Sequence, residues 1–363
     1  MNIKRCNRCV MDNGSDSKIQ FDDNGNCNYC NQALSEINTT YFPRESGKAK
    51  LNEMLEEIKE EGKNKPYDCA MGISGGLDSC YLAYLGYKWG LRILAFHVDD
   101  GFDTEVSKEN INRLVKRTNI TMVTIRPNEE QYNALIKAYM KAGVPNLAVP
   151  QDNILFACLY EEIRKNKIKY FLSGGNFALE CILQQGNTHS AMDTVNIKAI
   201  HRKFGTKPID KLCFISSYRK YFDMKVTGLQ TLRPLNYIEY NRNRAFSELK
   251  EFCGFEYYGS KHLENKLTAF VQLYWLPKKF GVDKRTSHLS SMIVSGQMTR
   301  EEALKELERP VYDKELMFKY IQTIKERLNI SDNEFEELMN APIHQHNEYK
   351  VDKWSALLRK IIK

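Results

Sequence analysis

The chain has 363 residues, of which 42% are hydrophobic, and this is enough apolar material for one large domain or two ordinary ones. The 53 basic and 46 acidic residues give a formal net charge of +7, which suits an anionic partner without distinguishing nucleic acid from a phosphorylated small molecule. No apolar run reaches the roughly 20 residues that span a bilayer, and the start MNIKRCNRC lacks the apolar segment of a secretory signal, so we expect a globular, cytoplasmic protein.

Four of the ten cysteines lie within the first thirty residues and form two CxxC pairs. Cys6 and Cys9 make the first pair, Cys27 and Cys30 the second, and 17 residues separate the pairs. This spacing is typical of a tetrahedral zinc site, and four thiolates leave no coordination position for water. We therefore predict a structural Zn²⁺ ion in a zinc-ribbon-like module over residues 1–45, with a catalytic, redox or iron–sulfur site as the alternative.

The middle of the chain alternates between two hydrophobic patterns. Residues 46–66 predict an amphipathic helix. Apolar runs typical of strands then alternate with helical periodicity, which predicts strands at 68–73, 92–99, 121–125 and 169–172, with helices between them. Such alternation predicts a parallel sheet covered by helices, and thus an α/β domain over residues 46–235.

Beyond residue 235 the strand patterns fade and helical periodicity continues. We predict a mainly helical substrate-binding domain over residues 236–363, with capping boxes at Thr299 to Glu302 and Ser331 to Glu334. The last helix of this domain is predicted to begin near Asp352.

The stretch GISGGLDSC, residues 72–80, has the glycine-rich character of a phosphate loop but lacks the lysine of a kinase-type P-loop. It follows a predicted strand and opens a predicted helix, where backbone N–H groups can bind an anion. Gly75 and Gly76 allow close approach of the ligand, and Ser74 and Ser79 can donate hydrogen bonds. Asp78 can orient the loop or hold Mg²⁺. A plain strand-to-helix turn with a serine cap is the alternative.

The motif SGGLDS resembles the SGGxDS signature of the PP-loop ATP pyrophosphatases, whose fold is adenine nucleotide alpha hydrolase-like. The resemblance implies cleavage of ATP between its α and β phosphates, with the loop holding the departing pyrophosphate. Two further stretches fit the family, FHVDDGF at residues 96–102 and SGGNFALE at residues 173–180.

The resemblance implies two sets of site residues. The ATP-binding set comprises Ser74, Gly75, Gly76, Asp78, Ser79, Phe96, Val98, Asp99, Gly174 and Gly175, and the catalytic set comprises Asp78, Ser79, Asn176 and Glu180. Phe96 and Val98 would contact adenine, although both also fit a sheet core, and Asp99 would bind metal or ribose.

Residues 259–288, GSKHLENKLTAFVQLYWLPKKFGVDKRTSH, contain six Lys or Arg against two acids. A solvated helix face is one interpretation, but the charges lie irregularly among aromatic and turn residues, which favours anion binding. With the following SGQMTREEAL at 295–304, the stretch resembles the N-acetyl sugar amidotransferases of bacterial lipopolysaccharide, O-antigen and nonulosonic acid pathways. The order of the motifs along nearly the whole chain is also that of the family: first the cysteine pairs, then the glycine motifs, then these C-terminal motifs.

This second resemblance implies conversion of a sugar acetamido group to an acetamidino group with ATP, Mg²⁺ and ammonia. Lys261, His262, Lys284 and Arg285 would bind an anionic acetamido sugar or sugar nucleotide. The chain shows no glutaminase signature, so the resemblance also implies a separate glutaminase and a channel-forming subunit similar to those of imidazole glycerol phosphate synthase. UDP-linked diacetamido uronic acids and pseudaminic-type or legionaminic-type acids all fit as substrates.

Two other functions remain open from the sequence. A tRNA-thiolating enzyme can combine zinc knuckles with SGGxDS, and Cys158 and Cys181 would then be its candidate catalytic cysteines. A zinc-containing nucleic-acid-binding protein would use the basic charge but would leave the SGGLDS motif without a role.

Overall fold

A parallel sheet of five strands forms the centre of the computed structural model, which describes residues 3–257 and 263–354. In chain order the strands are β1 (Cys69–Gly72), β2 (Ile93–Val98), β3 (Thr121–Ile125), β4 (Tyr170–Leu172) and β5 (Gln230–Leu232). Their order across the sheet is β3-β2-β1-β4-β5, and every pairing is parallel. The first four strands confirm the sequence prediction, whereas β5, a short and partly exposed edge strand, was not predicted.

Helices precede the sheet and connect its strands. They are α1 (Asn28–Thr40), α2 (Glu45–Gly62), α3 (Leu77–Lys88), α4 (Glu105–Arg117), α5 (Glu129–Ala142), α6 (Val149–Lys165), α7 (Phe177–Glu180), α8 (Thr194–Phe204) and α9 (Ser217–Val226). Side chains of Thr104 and Asn128 cap α4 and α5 by accepting from the backbone N–H three residues on. These caps fix where each helix starts beyond its strand.

The two faces of the sheet belong to different hydrophobic clusters because side chains alternate along a strand. Met71 and Ala95 pack into one cluster, and Ala70 and Phe96 into another on the opposite face. All four are almost fully buried, as expected for a parallel sheet covered by helices on both sides.

The described part of the C-terminal region is helical, as predicted. After a 3₁₀ turn at Pro234–Tyr237 come α10 (Arg242–Cys253), α11 (Lys266–Phe270), a π-helical segment (Val271–Phe280), α12 (Arg285–Val294), α13 (Arg300–Glu308), α14 (Lys314–Leu328), α15 (Asp332–Asn340) and a 3₁₀ turn at His346–Glu348. Both halves of the capping box at Thr299 are present, and the Ser331 hydroxyl accepts from the Glu334 N–H. Most of the helix predicted from about Asp352 lies outside the described residues.

This helical region packs on α5 and α8 through a second large core. Trp275 is fully buried there, and its indole N–H donates to the Val144 carbonyl at 3.0 Å. Within the described residues, no helix has both the length and the apolar character needed to cross a bilayer. The packing brings the segment that follows residue 263 against the carboxyl end of the sheet.

Replacing Gly75 by alanine should destabilise the fold strongly. Its φ of +79° is in the left-handed region, and an added Cβ would lie 2.4 Å from the Ser107 carbonyl oxygen. An alanine in this left-handed backbone conformation costs about 1–2 kcal/mol, and the steric clash of its Cβ with α4 costs about 1–3 kcal/mol. Equilibrium urea unfolding should therefore show a loss of about 3 kcal/mol.

Gly90 provides the matched control, because its φ of +72° is similar but an added Cβ meets no atom within 4 Å. Gly90→Ala should lower the free energy of unfolding by only about 1 kcal/mol. Equal losses of unfolding free energy for the two variants would show that the close packing of Gly75 against Ser107 of α4 does not contribute to stability.

Candidate active site

The glycine loop joins β1 to α3 as a tight turn held by its own two serines. The Ser74 N–H donates to Ser79 Oγ at 3.2 Å, and the two hydroxyl oxygens also lie 3.2 Å apart. Gly75 supplies the positive φ of the turn, and α3 begins directly after Gly76. The loop therefore presents two hydroxyl groups and the first turn of a helix at one edge of the sheet, an arrangement suited to an anion.

The second glycine turn, residues 173–175 after β4, lies directly against the first. A Cβ on Gly174 would approach the Ser79 nitrogen to 3.2 Å, so the two turns touch through backbone atoms. Asn176 is buried and caps α7, accepting from the Leu179 N–H at 2.9 Å and donating to the Gly174 carbonyl at 3.1 Å. Its side chain serves the turn itself.

Two acidic residues predicted to act on the phosphates also belong to these turns. The Tyr240 hydroxyl donates to the carboxylate of Asp78. A carboxylate oxygen of Glu180 lies 3.2 Å from the position of a Cβ on Gly175. Both carboxylates therefore border the paired turns.

A cavity of about 500 Å³ opens above the carboxyl ends of β1, β2 and β4. Its volume is within the range of small-molecule sites. The structure brings six of the predicted residues to its wall, namely Ser74, Ser79, Phe96, Val98, Gly174 and Lys284. Arg285 and Asp99 are not among the lining residues.

The carboxylate of Asp99 is bonded to neighbouring residues at the end of the sheet. One of its carboxylate oxygens accepts from Arg126 at 3.0 Å and the other from the Gly101 N–H at 3.1 Å. Burial alone would raise the pKa of Asp99, but these hydrogen bonds hold it below its ordinary value. The next residue, Asp100, lines the cavity instead, which the sequence analysis did not foresee.

His97 and Asp103 form a buried, hydrogen-bonded pair at the cavity wall. The Nδ1 of His97 lies 2.9 Å from the Ile73 carbonyl, which can only accept, so this nitrogen carries a proton. Its Nε2 lies 2.9 Å from Asp103. Burial acts to lower the pKa of His97, but the hydrogen bond and charge of Asp103 raise it above the ordinary value. The pair therefore favours an imidazolium beside a carboxylate.

Lys284, from the C-terminal region, also lines the cavity. Within the described residues its ammonium has no hydrogen bond or ion-pair partner, and burial lowers its pKa. An unpaired cation in a cavity wall is costly unless a ligand supplies the anion. Lys261 and His262, the other predicted substrate contacts, lie outside the described residues.

Much of the basic run stabilises helix ends. The guanidinium of Arg285 pairs with Asp283 and donates to the carbonyls of Glu306 and Arg309 at the end of α13. Lys279 donates to carbonyls at the end of α15. Cations at helix C-termini satisfy unpaired carbonyl groups and the helix dipole, so these charges have structural partners.

Other cavity residues were not singled out from the sequence. They are His97, Asp100, Asp103, Asp152, Glu264 and Asn265. Glu264 belongs to the sequence KHLEN at residues 261–265, part of the stretch that resembles the N-acetyl sugar amidotransferases. Its Oε1 accepts a hydrogen bond from Ser74 Oγ at 3.2 Å. Asp152 is in the first turn of α6, where a carboxylate gives no sequence signal beyond a favourable helix start.

The four N-terminal cysteines converge on one buried point. Their sulfur atoms all lie within 4.8 Å of one another, with 3.7 Å between Cys6 and Cys30 and 3.5 Å between Cys9 and Cys27. Sulfurs about 2.3 Å from a tetrahedral ion are about 3.8 Å apart, whereas a disulfide needs about 2.05 Å. The cluster thus fits a tetrahedral metal ion held by four thiolates.

This cysteine module also supports the cavity. Asp16 accepts hydrogen bonds from the N–H groups of Gln185 at 2.9 Å and Gly186 at 3.0 Å. The next residue, Asn187, lines the cavity and donates to the Ser15 carbonyl at 2.9 Å. Arg300 donates to two carbonyls of the module, at Cys6 and Cys9. The cysteine module therefore helps to position one part of the cavity lining.

Cys158 and Cys181 are separated in the fold. Cys158 packs in the core under α5 and α6, whereas Cys181 packs with the cysteine module and donates weakly to the Ser291 carbonyl. Burial raises the pKa of Cys158 to about 12 and that of Cys181 to about 11, which disfavours the thiolate. Neither residue lines the cavity.

The replacement Cys27→Ser should release the metal and loosen the cavity wall. Structural metal sites of this kind contribute about 10 kcal/mol or more to folding, and the module anchors residues 185–187. We expect loss of stoichiometric bound metal and at least about tenfold faster hydrogen exchange at Gln185 and Gly186. Metal analysis and hydrogen-exchange mass spectrometry measure the two effects.

Cys253→Ser is the control, because Cys253 is buried on α10, away from the cluster. It should keep the metal and the protection of Gln185 and Gly186. Metal loss from Cys27→Ser without faster exchange there would refute the support of the cavity wall by the module.

Comparison with known proteins gives one family match. Residues 264–361 match the family described as LPS biosynthesis protein WbpG-like, C-terminal domain. No curated protein sequence matches the chain.

Three solved structures resemble this chain at low sequence identity. NMN synthetase from Francisella tularensis is 14% identical, with a TM-score of 0.35 over 82% of this chain and 98% of that one. NAD+ synthetase from Burkholderia pseudomallei is 12% identical, with a TM-score of 0.36 over 84% and 98%. The U34-tRNA thiolase NcsA from Methanococcus maripaludis, with its 4Fe-4S cluster, is 16% identical, with a TM-score of 0.34 over 85% and 90%. The C-terminal region that supplies Lys284 and Glu264 to the cavity is thus the part of the chain similar to the lipopolysaccharide biosynthesis family.

Proposed function

We propose that the protein is a PP-loop, ATP-dependent amidotransferase of bacterial surface glycan biosynthesis, converting a sugar acetamido group to an acetamidino group. One observation carries the proposal. The SGGLDS loop and Lys284, from the region that matches a lipopolysaccharide biosynthesis family, face the same cavity. A phosphate-binding turn and an unpaired cation in one cavity suit a reaction between a nucleotide and an anionic sugar.

The reaction has to overcome the low reactivity of an amide. In the proposed sequence the acetamido oxygen attacks the α-phosphorus of ATP, and pyrophosphate leaves. Ammonia then adds to the activated carbon, and AMP departs with the former amide oxygen. The product is an amidine, which binds a proton and becomes a cation. Such chemistry depends on positioning and charge stabilisation more than on a nucleophilic side chain.

The chain's residues fit these tasks. Ser74 and Ser79 would donate hydrogen bonds to the departing pyrophosphate, and Phe96 and Val98 would contact the nucleoside from the wall formed by β2. Lys284 would bind a carboxylate or phosphate of the sugar substrate. Mg²⁺ would neutralise phosphate charge when bound, and Zn²⁺ would occupy the four-cysteine cluster as a structural ion.

Ammonia is expected from partner proteins. We propose a separate glutaminase and a channel-forming subunit as its source, consistent with the family resemblance of the sequence. The isolated chain should then use ammonium salts and not glutamine. Efficient use of glutamine by the purified chain would contradict this arrangement.

Continuous turnover of ATP to AMP and pyrophosphate by the purified chain should require both ammonium and a suitable acetamido sugar, whereas adenylation and its single release of pyrophosphate should require the sugar alone. Candidate substrates are UDP-linked diacetamido uronic acids and pseudaminic-type or legionaminic-type acids. Mass spectrometry with isotopically labelled ammonium should show one nitrogen replacing one oxygen. Lys284→Met should raise the sugar KM about 10- to 100-fold, because a hydrogen bond to a charged group is worth about 1.5–3 kcal/mol.

Lys278→Met is the matched control, because Lys278 is exposed and belongs to the same basic run. It should leave the sugar KM unchanged. Sulfur transfer to bulk tRNA, with no turnover of any acetamido sugar, would replace the proposal with the thiolase alternative.

Asp152 is the candidate acceptor of the proton that the attacking ammonia loses. It lines the cavity as an exposed residue with no hydrogen bond or ion-pair partner within the described residues, and desolvation by the surrounding protein raises its pKa. Water in the cavity moderates this effect, and a substrate that displaces the water strengthens it. The other titratable groups of the wall are His97, Asp100, Asp103, Tyr132, Glu264 and Lys284.

Asp152→Asn should slow ammonia-dependent turnover by about 10²–10⁴-fold, the usual range for a general base. The wild-type rate at fixed free ammonia should rise with pH as the Asp152 carboxyl group ionises, because the carboxylate form is the base, at a pH above the ordinary range of an aspartate, and this limb should be absent in the variant. Exchange of labelled pyrophosphate into ATP should persist in the variant. A variant that keeps the wild-type pH limb would refute the role of Asp152.

A further inference from the structure

A carboxylate from the C-terminal region lies in the phosphate loop. Besides accepting from Ser74, Oε1 of Glu264 would be only 2.8 Å from a Cβ on Gly76. Gly76 has an ordinary φ of −79°, so the backbone conformation does not require a glycine here. Its lack of a side chain instead allows the Glu264 carboxylate to approach the loop closely. The space that this glycine opens above the loop is occupied by the Glu264 carboxylate.

The main chain around Glu264 is firmly attached to the end of the sheet. The Thr104 N–H donates to the Glu264 carbonyl at 2.9 Å, and the Lys266 N–H donates to the Phe102 carbonyl at 2.6 Å. Asn265 caps α11 and donates to Asp100 at 3.0 Å. These bonds hold Glu264 at the loop, so its position is part of the fold.

Within the described residues, the second carboxylate oxygen of Glu264 has no hydrogen-bond partner. Oε2 is buried and accepts no hydrogen bond, and no lysine or arginine within residues 3–257 and 263–354 forms an ion pair with Glu264. A buried, unpaired carboxylate oxygen costs free energy, and native proteins usually compensate such an atom. A cationic ligand would supply what the protein does not.

Phosphates and Glu264 carry charge of the same sign. A nucleotide bound at Ser74 and Ser79 would therefore be repelled by the carboxylate unless a cation lay between them. Mg²⁺ is commonly bound by one or two carboxylates together with substrate phosphates. The orphaned oxygen, the close approach at Gly76 and the phosphate-binding turn together fit that arrangement.

We propose that Glu264 is a ligand of the divalent cation that accompanies the nucleotide phosphates, an inference that rests on the proposed binding of ATP. The C-terminal region thereby completes the nucleotide site of the sheet domain. Glu264 and Lys284, both from the C-terminal region, line the same cavity as the glycine loop.

The test compares wild type, Glu264→Gln and Glu264→Asp for binding of ATP and of Mn²⁺ as a spectroscopic substitute for Mg²⁺. Electron paramagnetic resonance titrations with ATP present should show at least about tenfold weaker Mn²⁺ binding for Glu264→Gln, since even outer-shell partners of metal ligands contribute that much. Glu264→Asp should retain part of the affinity. Calorimetry without divalent metal should show ATP bound by Glu264→Gln at least as tightly as by wild type, because one repulsive charge is gone.

Glu301→Gln, an exposed acid on α13, controls for the change in net charge and should match wild type. Tighter binding of ATP by Glu264→Gln in the presence of metal, with unchanged Mn²⁺ affinity, would overturn the proposal. It would show instead that the Glu264 carboxylate blocks phosphate binding at the loop. If wild type binds no ATP under any condition, the proposed function fails as well. If wild type binds ATP with metal and only the Mn²⁺ effect is missing, this inference alone fails.

Discussion

The cavity depends on one buried carboxylate, Asp100. It accepts hydrogen bonds from four donors in different elements, namely Phe102 N at 3.0 Å, Asn265 Nδ2 at 3.0 Å, Tyr132 Oη at 2.9 Å and Gln151 Nε2 at 2.7 Å. Burial raises the pKa of Asp100, and the four donors offset much of the cost of burying its charge. Because Gln151 and Asn265 are bonded here, the adjacent Asp152 and Glu264 are held at the cavity.

A second support comes from the N-terminal module, which contacts other lining residues of the cavity. Asp100 ties α5, α6 and α11 to the end of β2, whereas the cysteine cluster fixes residues 185–187 through Asp16. Ser15 also accepts from the Asp283 N–H at 3.4 Å, next to Lys284. A small module without a large core of its own can position a cavity wall in this way only if its fold is rigid, and four buried thiolates around one ion would provide that rigidity.

The sequence predicted the repeating parts of the fold well because they follow from periodicity. The strand at Thr121–Ile125 and the turn after β1 are direct consequences of apolar runs and glycine placement. Side-chain direction at the ends of strands was harder to predict. In the word FHVDDGF, Asp99 was predicted to act at the site, yet Asp99 pairs with Arg126 and Asp100 lines the cavity. Once a strand ends, its alternation no longer determines which neighbour points inward, and only tertiary partners such as Tyr132 do.

The sequence also could not predict which lysines and arginines of residues 259–288 have structural partners and which one lines the cavity. The charges that line the cavity are relevant to the proposed reaction. Lys279 and Arg285 are bonded to helix ends, whereas Lys284 lines the same cavity as the buried pair His97–Asp103 and the carboxylate of Asp152. The proposed substrate is anionic at one end, and its reacting group becomes cationic as the amidine forms. A cavity lined by both a lysine and several carboxylates would suit that charge change, because the carboxylates would stabilise the product charge as it develops.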